Sequence, residues 1–263
     1  MLARIAALFT ALAAAAAPVS AQALEGPRQF QVNYSISLYG LNIGRSAFRS
    51  TISGDTFSVD GTLQSSGVAR IFDSTKGTTS VTGRFAGEQP RPDSFVLSYA
   101  SGKKKQRTAI AFADGVVTDT KNVPPNKPPR GKWVALSDGD LRAVSDPLSG
   151  TLVRAADLRD VCNRTLKLYD GEMRADLRLS FAEMTKAEAR GYSGEAVTCA
   201  ARFVPVAGYR ADRDSIQFLK NKSRIRLTFA PLGDTGVYAP IRITATTEIG
   251  TITIAAARFE EVK

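Results

Sequence analysis

Two cysteines, a pair of close aspartates and three basic clusters are the residues of this chain with the chemistry to react, ligate or hold charge. Cys162 stands in "VCNRTLKLYDGEMRADLRL" (161–179). Cys199 stands in "AVTCAARFV", 37 positions further on. A cysteine nucleophile needs a base or a cation beside it to hold its thiolate. The 263-residue chain contains no histidine. That removes Ser-His-Asp and Cys-His catalysis, histidine general bases and histidine-ligated zinc. No C-x-x-C spacing offers a redox pair. Asp212 and Asp214 in "DRD" have no companion ligands for a metal, and no carboxylate pair is spaced for acid–base work. "GLNIG" (40–44) lacks both the G-x-G-x-x-G spacing and the Lys-Ser/Thr of a phosphate loop. The sequence identifies no catalytic residue, no metal ligand and no cofactor-binding residue. It predicts a protein that is not an enzyme.

What remains is positive charge. "GKKKQR" carries Lys103, Lys104, Lys105 and Arg107, "NKPPRGK" carries Lys127, Arg130 and Lys132, and "LKNKSRIR" carries Lys220, Lys222, Arg224 and Arg226. The formal net charge is +10. If the first two clusters converge in space, they form an anion-contact surface. Otherwise they are solvated turns that keep strand edges from aggregating. A basic balance suits lipid headgroups, acidic polymers or acidic proteins. No nucleic-acid-binding motif is present, so nucleic acid is not an expected partner.

The compartment follows from the start of the chain. Arg4 precedes an apolar run over 5–17, Pro18 breaks it, and small residues follow as Val19-Ser20-Ala21 and Ala21-Gln22-Ala23. This is the pattern of a secretory signal peptide over 1–23. The run is about 13 residues, short of the roughly 20 that span a bilayer. No later stretch reads as a transmembrane helix, and no cysteine near the cleavage site accepts a lipid. Residues 24–263 are expected to form a single β-rich domain outside the cytosol. In an oxidising compartment two cysteines most simply form one disulfide, Cys162–Cys199.

The elements that must position these residues read with period two. In "FQVNYSISL" the residues Phe30, Val32, Tyr34, Ile36 and Leu38 alternate with polar ones, as in a half-buried strand. "TFSVDGTL", "SFVLSYA", "TAIAFA", "ADLRLSF", "AVTCAARFV", "SRIRLTF", "PIRITATTEI" and "GTITIAAARFEEV" repeat the pattern. Asp114-Gly115 and Asp170-Gly171 are hairpin turn signals between such runs. About ten strands on short turns imply an antiparallel sheet that curls to bury its apolar face. Two short turns are expected over 65–74. A short helix capped by Asp138 or Asp140 is expected within 137–158, with a second around 152–158 after the break at Pro147. The stretch 182–190 reads equally as a helix or a long hairpin tip. The Pro-rich 122–133 reads as an extended loop.

The motifs and their order also resemble a known family. "YSISLYGLNIGRSAF" resembles the opening strand pair of DUF3108, a family of bacterial envelope proteins whose domain starts with a "Y…G-x-x-I-G" element. The likeness continues through "DVCNRTLKLYDGEMRADLRLSF" with Tyr169, Asp170, Arg174 and Asp176. It runs on through "GYSGEAVTCAARFVPVAGYR" and "YAPIRITATTEIGTITIAAARF". The resemblance implies a periplasmic, mainly all-β protein of a Gram-negative bacterium. Its fold would be a curved antiparallel sheet or open half β-barrel with one to three short helices, similar in kind to the half-barrels of lipoprotein carriers. The family supplies no catalytic residues to carry over. The function this leaves is a non-catalytic envelope protein binding a lipid or other amphiphile on the concave face of its sheet. The alternative is an envelope-integrity scaffold that contacts an envelope polymer such as peptidoglycan, or another envelope protein, through its basic and Pro-rich loops.

Overall fold

The computed structural model describes residues 26–67, 74–127 and 130–262. The expected signal peptide lies outside them, as do most of the turns expected over 65–74. Seven strands follow one another as antiparallel hairpins: β1 (Arg28–Leu38), β2 (Leu41–Ser53), β3 (Thr56–Ser65), β4 (Thr75–Ala86), β5 (Gln89–Ser101), β6 (Lys104–Ala113) and β7 (Val116–Val123). A long connection over 124–164 follows, whose strands among the described residues are the short β8 (Trp133–Val134) and β9 (Val153–Arg154). The chain returns through β10 (Thr165–Tyr169), β11 (Arg174–Ala189), β12 (Tyr192–Ala207) and the short β13 (Tyr209–Arg210). Helix α1 (Asp214–Asn221) leads to β14 (Ile225–Pro231), β15 (Val237–Thr247) and β16 (Gly250–Val262).

The last strand closes back on the first, because β16 pairs antiparallel with β1. The sheet therefore runs β10-β11-β12-β14-β15-β16-β1-β2-β3-β4-β5-β6-β7. Its two edges, β7 and β10, share no ladder among the described residues. Residues 142–145 strap them instead. The Val144 N–H donates to Gly115 O, Ser145 N–H to Lys167 O, and Tyr169 N–H to Ser145 O. Asn122 Nδ2 also donates to Gly171 O across the seam at 2.9 Å. The result is the expected curved, open barrel.

Alternation decides which residues face inward. Phe30 and Val32 of β1, Phe57 and Val59 of β3, Val81 of β4, Phe95 of β5 and Ile110 of β6 form one buried surface. Val197, Cys199, Leu227 and Phe229 form another on the facing strands. Each such side chain contributes about 1.5–3 kcal/mol by leaving water. The connection fills the space between the two surfaces, burying Val144, Leu152, Val153 and Val161. Arg154 and Arg164 tie it to the β2–β3 and β4–β5 turns through Asp55 and Glu88.

The helices expected within 137–158 need correction, whereas 182–190 takes the second of its two readings, the long hairpin tip: β11 and β12 make one long hairpin whose tip bonds to β16 through Arg190. That tip covers the split left where β15 stops pairing with β16 beyond Ala255. Within 137–158 there are only 3-10 turns, at Asp138–Leu141 and Ser149–Thr151, and a third lies at Leu158–Val161. Ser137 caps the first of them; neither aspartate does, although Asp140 closes the capping box from N3. The buried carboxylate of Asp146 holds the second by accepting the N–H groups of Leu148 and Ser149. Helix α1 was not among the helices expected from the sequence. It packs Ile216 against Ala175 and Phe203.

Candidate functional site

The residues of the 161–179 hairpin serve the fold. Cys162 follows the Leu158–Val161 turn and bonds Cys199 in the middle of β12, with Cα atoms 5.6 Å apart. Cys162 belongs to the interior connection, so the bond ties that connection to the sheet at β12. Asp170 Oδ1 accepts the N–H groups of Glu172 and Met173 and so shapes the β10–β11 turn. Arg174 is buried, pairs with Asp176 at 2.6 Å and donates to Asp140 O. Tyr169 OH reaches Thr120 Oγ1 across the seam. Asp212 pairs with Arg210 at 2.9 Å, and Asp214 is the first residue of α1. Among the described residues no group of three or more His, Cys, Asp or Glu is placed to hold a metal. No helix there is long and apolar enough to cross a membrane.

The unusual surface is one rim of the barrel. In a chain of antiparallel hairpins, alternate turns fall at the same end. The β1–β2, β3–β4, β5–β6 and β15–β16 turns and the end of β7 therefore share one rim. There, Tyr39 is 74% exposed, Ile249 68%, Leu41 61% and Val123 50%. The Tyr39 ring lies over Gly250, next to Ile249, where a Cβ on Gly250 would come within 2.2 Å of it. Slightly deeper on the concave face, Leu63 and Tyr99 flank Gly77 in one cross-strand row and are also exposed.

The basic clusters arrive at the same rim. Lys103, Lys104 and Lys105 occupy the β5–β6 turn and its first strand residues. Lys127, Arg130 and Lys132 lie in the loop after β7, which Gln106 Nε2 holds through Pro124 O. Lys220 lies in the last turn of α1, and Lys222 and Arg224 follow it just before β14. Two predicted cations turn elsewhere. Arg107 bonds Ser98 Oγ and lines a shallow groove across the outer face with Thr62, Thr78 and Ser80. Arg226 pairs with Glu183 on that outer face at 2.9 Å.

Lys127 and Arg130 also meet residues that sequence reasoning did not single out. β8 pairs with β13, setting Trp133 opposite Arg210 and Val134 opposite Tyr209. This small sheet, the β10–β11 turn and the start of α1 enclose a pocket of about 390 Å³. Lys127, Arg130, Arg210 and Arg213 bring positive charge to it, and Asp170 and Glu172 bring negative charge. Burial, and next the charge of Asp170, push the Glu172 carboxyl above its usual range, while Arg213 opposes the shift. The only signal in the sequence was the aromatic-basic composition of "RGKW" and "GYRADRD".

Comparison with solved structures finds the same overall fold in a β-barrel-like protein of the domain of unknown function DUF1849 from Brucella abortus. The TM-score is 0.50 at 10% identity, covering 90% of this chain and 98% of that one. Among curated proteins the comparison finds no match. The chain matches the family described as Protein of unknown function (DUF3108) over residues 29–256, which takes in the hairpin sheet, the disulfide and the rim, and on that match the chain belongs to the DUF3108 family.

Proposed function

We propose that this chain is a non-catalytic cell-envelope protein, exported to the periplasm, that binds a lipid or other amphiphile with an anionic end at its apolar and basic rim. One observation carries the reading. Among the described residues, six of the seven large apolar side chains left exposed (Tyr39, Leu41, Leu63, Tyr99, Val123 and Ile249) collect at one rim, beside the lysine clusters. Exposed apolar groups gathered in one place mark an interaction surface, and cations beside them complement an acidic headgroup. The interior connection occupies much of the concave face, so the part that supports amphiphile binding is the half ending at Leu63 and Tyr99. Support for export comes from the N-terminal pattern and from the Cys162–Cys199 disulfide, a bond that persists in oxidising compartments. Support for a non-catalytic role comes from the histidine-free sequence and from the structural engagement of Asp170, Asp176 and Asp212.

The test is partition of the mature protein onto phosphatidylcholine vesicles with and without phosphatidylglycerol. Mass spectrometry of what co-purifies from the native periplasm accompanies it. The expected result is binding that needs the anionic lipid and weakens about tenfold or more in Leu41→Ser/Ile249→Ser, since each side chain contributes roughly 1.5–3 kcal/mol on full burial. Absence of both co-purified lipid and vesicle binding overturns the reading. Crosslinking to a single envelope protein would then put the scaffold role in its place.

A further inference from the structure

We propose that the pocket between β8, β13, the β10–β11 turn and the start of α1 is a binding site for a phosphate ester, held by Lys127, Arg130 and Arg213 beside Trp133. The inference deepens the amphiphile reading and rests on it only for what the ester is attached to.

The first ground is charge that the fold leaves unused. Arg210 is paired with Asp212. Among the described residues, Lys127, Arg130 and Arg213 form no ion pair, although all three border the same pocket. Arg213 occupies the N-cap position of α1, but the helix takes no side-chain hydrogen bond there. Among the described residues the acids across the pocket form no ion pair with these cations. Asp170 Oδ1 accepts two backbone N–H groups. Glu172 feels the charge of Arg213 without pairing with it.

The second ground is chemistry and shape. Guanidinium groups meet phosphate oxygens through paired, parallel hydrogen bonds, and a lysine adds a point charge. Trp133 and Tyr209 present flat apolar faces with a polar tip, as aromatic side chains do at the level of lipid headgroups. A volume of about 390 Å³ lies within the range of small-ligand sites. The third ground is position. The loop bearing Lys127 and Arg130 follows directly from Val123 on the apolar rim. Asn122 and Asn126 both donate to Gly171 O on the pocket's own turn. A headgroup in the pocket would therefore leave its chains on the rim that carries Val123.

Trp133 is the single tryptophan of the chain, so its fluorescence reports on this pocket alone. The experiment titrates the oxidised mature protein with glycerophosphoglycerol, a headgroup without acyl chains, and with glycerol as the uncharged control. Vesicles of phosphatidylcholine with and without phosphatidylglycerol form a second arm. A saturable, salt-sensitive change with glycerophosphoglycerol and none with glycerol is expected. Arg130→Gln/Arg213→Gln should weaken that binding about tenfold or more. Lys127→Gln/Arg130→Gln, confined to an exposed loop, should act in the same direction without lowering Tm. No response to glycerophosphoglycerol, or equal affinity in the wild type and the loop variant, overturns the site. If the headgroup fails while vesicle binding persists and depends on Leu41 and Ile249, the pocket falls and the amphiphile reading stands. If the headgroup binds and the arginine variant loses it, while vesicles never bind, the site is one for a free phosphate ester and the amphiphile reading falls.

Discussion

Opening the Cys162–Cys199 bond should cost this protein a large share of its stability without changing its native contacts. The bond closes a loop of 37 residues. In the chain-entropy account such a closure removes roughly 3–4 kcal/mol of freedom from the unfolded chain. Both cysteines are buried against Val161, Val197 and Leu227. Replacing them by alanine would therefore add the loss of two packed sulfur atoms to the loss of the crosslink. Comparing oxidised with reduced wild type keeps both sulfurs and isolates the crosslink. The assay is urea unfolding of the two forms, followed by far-ultraviolet circular dichroism and Trp133 fluorescence. The reduced form should lose roughly 3–4 kcal/mol and roughly 6–16 °C in Tm, using about 2–4 °C per kcal/mol for a chain of this length. Its m-value should rise, because an uncrosslinked denatured chain exposes more surface. A loss below about 1 kcal/mol, or a fall in the m-value, would refute the argument that the bond acts mainly on the unfolded state. Cys162→Ala/Cys199→Ala should be less stable than the reduced wild type, and the difference measures the packing of the sulfurs.

Asp146 gives a pH signature. Burial pushes its carboxyl above the usual range, against the opposing hydrogen bonds from Ser149 and Leu148. The native state then holds the proton more tightly than the unfolded chain. That contribution is present below the ordinary aspartate range and is lost as pH rises through the raised native value. Asp146→Asn should remove this pH dependence, so Tm–pH profiles of variant and wild type should diverge across that window; parallel profiles would count against it. Gly171 has φ +98°, and a Cβ there would sit 2.5 Å from Thr108 Cγ2, whereas Gly54 at φ +55° faces open space. Gly171→Ala should destabilise by about 1–3 kcal/mol and clearly more than Gly54→Ala; equal losses by thermal melting would show that the seam between β7 and β10 tolerates the added group.

The strands most legible in the sequence are those with large apolar residues at alternate positions. β1, with Phe30, Val32 and Tyr34, is one; β16, with Ile252 and Ile254, is another. β4 was not legible, because small residues take several of its inward positions. Gly77 lies between Leu63 and Tyr99, and a Cβ on Gly83 would come within 2.7 Å of the Phe57 ring. Close packing across the sheet thus erased the pattern that single-strand reading depends on. β2 lacks the alternation in the same way, with Ser46 and Ser50 facing in, and was visible only through the family resemblance of "YSISLYGLNIGRSAF". Helix α1 is only eight residues long, with Ile216 its single buried side chain, too few turns for a periodic signal. Of the candidate site, the lysine clusters were visible as composition. Their shared rim, and the company of Arg210, Arg213 and Trp133, were not.

The division has a physical basis. Side-chain alternation, turn residues and the count of cysteines are read from the chain position by position, and these the sequence determines by itself. They suffice for a mainly β, disulfide-bonded fold. Whether Leu41 lies near Ile249, or Lys127 near Arg213, depends on how many hairpins intervene and how far the sheet curls before β16 meets β1. Those distances are sums over the whole chain, and only the tertiary structure decides them. The apolar rim and the cationic pocket beside it belong to that second class.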